Sequence, residues 1–267
     1  MNKIAIIAGN GLLPKIIYDE CKKQGRETVL VTFDGINENK SFSNLPSLKT
    51  NFGKVGKIIE FIKKNQCKDV ILVGGFKRPS FKSVMAVDWK GATLISKILT
   101  SKGDNSSLEI VIEFLKKENL NVIGVKDILP SLFVEKGFLT HKKPSNQQNL
   151  YILKGKNILE KISEFDIGQS IVISSNRVLG IEGPEGTDLL ISRCSKMSYE
   201  DKPILVKTAK LNQDTRVDLP TVGLNTIQKL ISSGFSGLAI QSSLTIILEK
   251  DKVLSLANKH KLFIVSI

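Results

Sequence analysis

The first half of the chain alternates short apolar runs with amphipathic stretches. The apolar runs are rich in Val, Ile and Leu, as buried strands are, whereas the stretches between them repeat apolar residues with the period of a helix. Strands and helices in alternation predict a parallel, Rossmann-like sheet with helices on both faces and ligands at the carboxyl ends of its strands. The predicted strands are 3–8, 28–33, 69–75 and 121–125, and the predicted helices are 15–25, 53–66, 91–99 and 107–120.

The second half has a mixed pattern. Residues 134–147 are polar and basic and contain Gly137 and Pro144, which is typical of a linker. A helix through Ile162 and a hairpin over 169–183 follow. The remaining predicted elements are a helix at 187–197 with Thr187 as N-cap, a strand at 203–209, a helix at 224–234, strands at 237–241 and 245–250, a helix at 252–261 and a strand at 262–267.

The fold expected from these patterns is α/β with two domains. An N-terminal Rossmann-like domain takes residues 1–133, a linker takes 134–147, and a C-terminal mixed α/β domain takes 148–267. A chain of 267 residues is long enough for two such cores. It has no apolar run near the roughly 18 residues of a spanning helix and no signal-peptide pattern at its start, so we expect a cytoplasmic protein.

Composition narrows the possible chemistry. The three cysteines form no C-x-x-C pair, which favours buried free thiols over a disulfide framework or a thiolate metal site. Two histidines are too few for most zinc sites and for histidine-rich metal centres. Carboxylates must therefore carry any acid, base or metal chemistry.

The net charge of +13 comes almost entirely from lysine, with 34 Lys against 5 Arg. The lysines are spread along the chain and often paired on helix surfaces, which is typical of a solvated face and disfavours a nucleic-acid groove. Arginine is scarce, and both Arg78 and Arg216 lie in turn-like sequence, where a planar guanidinium can meet phosphate or carboxylate.

A glycine loop follows the first predicted strand. Gly9, Asn10 and Gly11 stand before a helix, where backbone amides can hold an anion. The loop resembles a dinucleotide fingerprint, but Pro14 replaces its third glycine and Asp34 lies in what is more simply a turn. A nucleotide or phosphate site and a plain tight turn both remain open.

Two further loops carry charge. Lys102, Gly103 and Asp104 precede a helix, so they either face the same strand ends as the glycine loop or supply a helix cap from Asp104 or Ser106. The run IEGPEGTD concentrates carboxylates in an irregular backbone, which suits Mg²⁺ but equally suits an acidic surface turn. Its relevant residues are Glu182, Glu185, Gly186, Thr187 and Asp188.

The run KTAKLNQDTRVDLPTVG, residues 207–223, places much charge beside an apolar turn. Asp214, Arg216 and Asp218 alternate, and in an extended segment alternate side chains share a face. Either they form a structural ion-pair cluster, or a carboxylate held beside a fixed cation takes a proton from water or binds a metal.

These motifs together resemble one family along the whole chain: the UDP-2,3-diacylglucosamine pyrophosphatases of the LpxI type. The residues that carry the resemblance are IAGNGLLP, FGKVGKIIEFI, KRPSF, KGDNS, DIGQSIVI, EGPEGTD and, most specifically, QDTRVDLPTVG. Where the family has K-G-D-D, this chain has Lys102-Gly103-Asp104-Asn105, so a second carboxylate is not expected to be required there.

The resemblance implies Mg²⁺-dependent hydrolysis of UDP-2,3-diacylglucosamine to UMP and 2,3-diacylglucosamine 1-phosphate in lipid A synthesis. It implies a peripheral position on the inner membrane, because the substrate carries two acyl chains, and no obligate protein partner. The alternatives are a non-catalytic nucleotide- or phospholipid-binding protein and, more distantly, a nicotinamide-dependent oxidoreductase.

The same resemblance implies roles for individual residues. Catalysis falls to Asp218, Arg216 and Asp214, with Asp218 as general base or metal ligand. Asp188, Asp218 and Glu185 would hold the metal. The substrate-binding residues would be Gly9, Asn10, Gly11, Lys102, Gly103, Asp104, Gly186, Thr187, Lys207, Lys210 and Gln213.

Overall fold

The computed structural model of the protein describes residues 2–35, 45–76, 87–100, 104–211 and 213–267, with the side chains of Asp104 and Asn105 outside the description. The chain divides into two compact units. Unit 1 contains Met1–Pro130 and Asp214–Asp218, and unit 2 contains Ser131–Gln213 and Leu219–Ile267. No helix in the described ranges is long and apolar enough to cross a membrane.

Unit 1 is built on a parallel five-stranded sheet in the order β3-β2-β1-β4-β5. Every residue of β1 and β4 is buried, since helices cover the apolar strands. The predicted Rossmann-like domain is confirmed. Its elements are β1 (Ile4–Ala8), α1 (Leu13–Lys23), β2 (Thr28–Phe33), β3 (Ser47–Thr50), α2 (Val55–Lys64), β4 (Asp69–Val73), α3 (Trp89–Leu99), α4 (Asp104–Lys117), β5 (Asn121–Val122) and α5 (Val125–Ile128).

One carboxylate joins two helix starts in unit 1. Asp88 is the N-cap of α3, where its Oδ1 accepts from the amide of Gly91 at 2.7 Å, and its Oδ2 accepts from the amide of Gly56 in α2 at 2.8 Å. The carboxylate therefore satisfies backbone donors of both helices and complements both helix dipoles.

Unit 2 has a mixed six-stranded sheet in the order β6-β13-β11-β9-β7-β8, beside a small parallel pair, β10 and β12. Strands β9, β11 and β13 are parallel, while β6, β7 and β8 run antiparallel to their neighbours. Its elements are β6 (Gly137–Phe138), α6 (Asn146–Ile162), β7 (Ser170–Ser174), β8 (Arg177–Ile181), α7 (Thr187–Cys194), β9 (Ile204–Lys207), β10 (Thr221–Val222), α8 (Leu224–Ser232), β11 (Gly237–Ile240), β12 (Ile246–Ile247), α9 (Lys250–Lys259) and β13 (Phe263–Ser266), with 3₁₀ turns at Pro130–Leu132 and Ser163–Phe165.

The hairpin expected over residues 169–183 is present as β7 and β8. Its two loop residues, Ser175 and Asn176, have φ angles of 46° and 61°. Positive φ at both positions is what a two-residue type I′ hairpin requires.

Residues 134–147 lie within unit 2 and do not form a separate linker. Val134 is buried in the apolar core of that unit, and β6 pairs antiparallel with β13. Ser145 caps α6 by accepting from the amide of Gln148. The polar composition of this stretch reflects an edge strand and a helix start.

Two further expectations change. Thr187 is the first residue of α7 and Gly186, at φ 82°, is the N-cap, so the threonine hydroxyl is directed to other partners. The stretch 214–218 belongs to unit 1, although its place in the sequence put it in the C-terminal domain.

The three cysteines are free and buried, as expected, and burial raises the pKa of each thiol.

Candidate functional site

The charged stretch that begins at Asp214 is a turn, not the extended segment that alternation predicted. The amide of Val217 donates to the carbonyl of Asp214 at 3.1 Å, which closes a β-turn. Oδ1 of Asp214 accepts from the Arg216 amide at 3.0 Å and from Nε of Arg216 at 2.8 Å, and Nη2 of Arg216 pairs with Oδ2. The two side chains meet because Asp214 forms an Asx-type turn.

The ion pair shifts the pKa of both groups. Hydrogen bonds from Arg216 lower the pKa of Asp214, and hydrogen bonds to Asp214 raise the pKa of Arg216. The carboxylate of Asp214 is thus committed to its neighbour, which matches the ion-pair alternative for these two residues.

The turn is anchored on unit 1 at the carboxyl end of β5. Val217 is 3% exposed and lies in the apolar core of the unit. Nη1 of Arg216 donates to the carbonyl of Val122, the last residue of β5, at 3.5 Å. A Cβ on Gly124 would lie 3.0 Å from Cα of Arg216, so the close backbone approach there favours glycine. The turn therefore sits at the sheet edge where α/β folds bind ligands.

Asp218 follows the turn and is exposed. Its φ is 53°, in the left-handed region, which is uncommon for a residue other than glycine but accessible to aspartate. Pro220, two residues on, is buried. Asp218 is thus an exposed carboxylate in an uncommon backbone conformation, as residues of functional sites often are.

The glycine loop is explained by close backbone packing. The Gly9 amide donates to the Val73 carbonyl at 2.7 Å, and Asn10 and Gly75 exchange two backbone hydrogen bonds of 2.9 and 2.8 Å. A Cβ on Gly9 would lie 2.7 Å from the carbonyl oxygen of Gly75. The amides of Gly9 and Asn10, which the anion-binding hypothesis requires, are thus used within the protein. Gly11, at φ +100°, has open space around its Cα.

A second polar cluster lies within unit 2, around the last residue of β9. Nζ of Lys207 donates to Oγ1 of Thr187 at 2.8 Å and to Oγ of Ser170 at 3.2 Å, and it lies 3.7 Å from Oε2 of Glu182. Thr187 donates in turn to Oε1 of Glu182 at 2.8 Å. Lys207 and Thr187, which were both predicted to bind substrate, are therefore in contact. We name Ser170, Glu182, Thr187 and Lys207 the Lys207 cluster.

The Lys207 cluster contains two residues that sequence reasoning did not assign to the site, Ser170 and Glu182. Glu182 was noticed only as one of three carboxylates in the acidic loop. Its distinguishing signal was its place at the end of the predicted hairpin over residues 169–183, because a residue there is positioned by the sheet.

The other two carboxylates of the acidic loop are paired with surface cations. Oε1 of Glu185 accepts from Nε and Nη2 of Arg193 at 3.2 and 3.1 Å, and Asp188 lies 3.6 Å from Nζ of Lys229. A hydrogen bond from its own backbone amide, together with Arg193, lowers the pKa of Glu185. Across the described part of the chain, no three His, Cys, Asp or Glu side chains assemble as a metal-binding group.

The remaining predicted substrate-binding residues have structural contacts or lie outside the description. Lys210 pairs with Asp166, and its amide donates to Oε1 of Gln213 at 3.1 Å. Lys102 and Gly103 lie outside the described residues, as does Arg78, and Asp104 is the first residue of α4.

Two family models match the chain in succession. The LpxI N-terminal domain matches residues 3–132, and the LpxI C-terminal domain matches residues 135–265. A curated relative, the UDP-2,3-diacylglucosamine pyrophosphatase LpxI of Caulobacter vibrioides, is 26% identical over 276 aligned positions that cover 100% of this chain and 98% of the relative.

Similarity to solved structures is distant. CobK precorrin-6A reductase aligns with 100% of this chain and 87% of its own, at 10% identity and a TM-score of 0.35. The Bordetella bronchiseptica enzyme WbmG, solved with NAD and UDP, aligns with 46% of this chain and 36% of its own, at 11% identity and a TM-score of 0.30. Scores this low carry no argument about ligand or reaction.

Proposed function

Because the chain belongs to the LpxI family, we propose that it hydrolyses the pyrophosphate bond of UDP-2,3-diacylglucosamine to UMP and 2,3-diacylglucosamine 1-phosphate, a step of lipid A synthesis. The observation that carries the proposal is the exposure and backbone conformation of Asp218. It is an exposed aspartate in a left-handed conformation, within the motif that most specifically resembles the family.

The reaction needs a water molecule, one phosphorus atom and a group that takes a proton. The water oxygen forms a bond to phosphorus while the bridging P–O bond breaks, and the bridging oxygen leaves with the other phosphate. Asp218 is our choice for the proton acceptor or for a metal ligand, since an exposed carboxylate suits either role. Asp214 and Arg216 hold the turn from which Asp218 emerges.

We assign phosphate binding to Lys207. Its ammonium group ends a buried strand and is held by two hydroxyl groups, and a fixed cation of this kind offsets phosphate charge better than a mobile one. We keep Arg216, in unit 1, as a separate candidate for offsetting phosphate charge. Lys210, which pairs with Asp166, is a further candidate.

The role of Mg²⁺ is also proposed. The described residues do not form an all-protein cage, but Mg²⁺ needs only one or two carboxylates together with substrate phosphate and water. Asp218 is our choice for that carboxylate, because it lies in the motif that most specifically resembles the family. Glu185 and Asp188, which pair with Arg193 and Lys229, are the other candidates. When bound, the ion would neutralise charge on the phosphates.

We propose a cytoplasmic protein that associates peripherally with the inner membrane, because the proposed substrate is a lipid and the chain carries a net charge of +13. Sedimentation with vesicles containing anionic lipid, at low and at high salt, tests this. Absence of the protein from the vesicle pellet at low salt would contradict it.

The deciding experiment follows UMP release from UDP-2,3-diacylglucosamine in detergent with Mg²⁺. Wild type should release UMP, while Asp218→Ala and an EDTA-treated sample should not. Asp251→Ala, which removes an exposed aspartate from α9, is the matched control and should remain active. An inert but folded wild type that still binds UMP would favour the non-catalytic nucleotide-binding alternative.

A further inference from the structure

We propose that Glu182 is a positioning residue that sets the orientation and charge environment of Lys207 and Thr187 for a substrate phosphate. The inference rests on the proposed function, and it assigns a role to a residue that the proposed function does not use. Its basis is the hydrogen-bond order within the Lys207 cluster.

The order of donors in the Lys207 cluster follows from chemistry. An ammonium group only donates, so Thr187 Oγ1 accepts from Lys207 at 2.8 Å. The single hydroxyl proton of Thr187 then goes to Oε1 of Glu182 at 2.8 Å. Glu182 thereby turns an oxygen lone pair of Thr187 toward Lys207. Without this acceptor the hydroxyl is free to rotate, and Nζ no longer has an oriented partner in Thr187.

The negative charge of Glu182 is important because the ammonium group of Lys207 beside it is buried. The side chains of Lys207 and Glu182 are 9% and 13% exposed, and a buried ammonium group is costly unless it has a countercharge. Oε2 of Glu182 lies 3.7 Å from Nζ and makes no hydrogen bond within the described residues. Glu182 therefore supplies a countercharge to Lys207 through Oε2 without a direct hydrogen bond to Nζ.

The backbone of Glu182 is firmly placed. Its amide donates to the carbonyl of Ser170 at 2.8 Å, which continues the β7–β8 pairing. A Cβ on Gly168 would lie 2.1 Å from the carbonyl oxygen of Glu182, so these two segments pack backbone to backbone. A residue fixed in this way can orient its neighbours, since its own position does not adjust to them.

The test compares Glu182→Gln, Thr187→Val and the double variant with wild type. Gln keeps an acceptor for Thr187 but removes the charge, whereas Val removes the hydroxyl link. We expect each single variant to lose about 10-fold to 100-fold in kcat/KM, mainly through KM, because phosphate binding contributes to both ground and transition states. The double variant should lose little more than either single one, because both act through Lys207.

Glu160→Gln is the matched control. Glu160 belongs to the same unit and lies 4.0 Å from Lys156 in a loose pair on α6, so the kinetics of the variant should equal those of wild type. Thermal melting of every variant separates loss of folding from loss of binding. If Glu182→Gln does not fold, Thr187→Val alone must still raise KM.

Two kinetic results would overturn the inference: wild-type KM in Glu182→Gln or Thr187→Val, or fully additive losses in the double variant. If wild type itself releases no UMP, the proposed function fails separately. Binding of inorganic pyrophosphate then decides the inference. Weaker binding by Glu182→Gln than by wild type supports it, and equal binding rejects it.

Discussion

Arg216 donates to Asp214 through both its backbone amide and its guanidinium group, so that two residues separated by one position close a ring at the edge of unit 1. The carboxylates of Asp214 and Asp218 therefore differ in their surroundings. Asp214 is engaged with a cation within the turn, whereas Asp218 lies after it and is exposed.

Asp214→Asn should weaken the turn. The variant removes a charge that is paired with Arg216 at a partly buried position, and we expect a loss of about 1 kcal/mol in the free energy of unfolding at pH 7. Chemical denaturation measures this. Asp251→Asn, at an exposed site, is the control and should change stability by much less.

The effect of Asp214→Asn should depend on pH. Because folding lowers the pKa of Asp214, its ionised form stabilises the protein above the unfolded-state pKa of about 3.9, and this contribution is lost as the pH falls through the lower, folded-state pKa. The stability difference between wild type and variant should therefore be complete at neutral pH and vanish in strong acid. A difference that persists unchanged to pH 2 would contradict the assignment.

Two variants of Asp218 separate the effect of its charge on activity from the effect of its backbone conformation on stability. Asp218→Asn keeps a residue type that tolerates the left-handed region, so stability should hold while UMP release falls by at least about 100-fold. Asp218→Ala should lose the same activity and also about 1 kcal/mol of stability from backbone strain. Equal activity in wild type and Asp218→Asn would remove Asp218 from the reaction.

Gly9→Ala tests whether the glycine loop serves packing. The new Cβ would lie 2.7 Å from a backbone oxygen, so we expect destabilisation by about 2 kcal/mol or more. Gly75→Ala is the matched control, because its nearest neighbour would be 3.9 Å away. A fully stable Gly9→Ala protein with impaired phosphate binding would favour the anion-binding alternative instead.

Asp88→Ala should destabilise unit 1 more than an ordinary cap substitution destabilises a protein. It removes acceptors for amides at the starts of α2 and α3, for which we expect a loss of about 2 kcal/mol. Ser145→Ala removes a single cap from α6 and should cost about 1 kcal/mol. Equal losses for the two variants would show that the second helix does not depend on Asp88.

Sequence patterns located most of the fold because its central strands are continuous apolar runs. They missed β3, whose residues 47–50 are mostly polar or exposed, since an edge strand carries little apolar signal. They also read residues 134–147 as a linker, because the two paired residues of β6 are too few to create a period.

The site was harder to predict for a different reason. Alternating charges at 214, 216 and 218 imitate a strand, but an Asp side chain can bond the backbone two residues later and bend the chain instead. The Lys207 cluster joins Lys207 to residues 170, 182 and 187, which lie 20 or more positions earlier in the sequence and meet it only through the sheet. A local sequence pattern does not predict contacts of this kind.

The assignment of Asp214–Asp218 to unit 1 has a consequence for synthesis of the chain. Val217 belongs to the core of unit 1, yet about eighty residues of unit 2 precede it. A nascent chain that has emerged only as far as Pro130 still lacks a core residue, so unit 1 completes its packing late. A protease cut after Pro130 would likewise leave the N-terminal fragment without that part of its core.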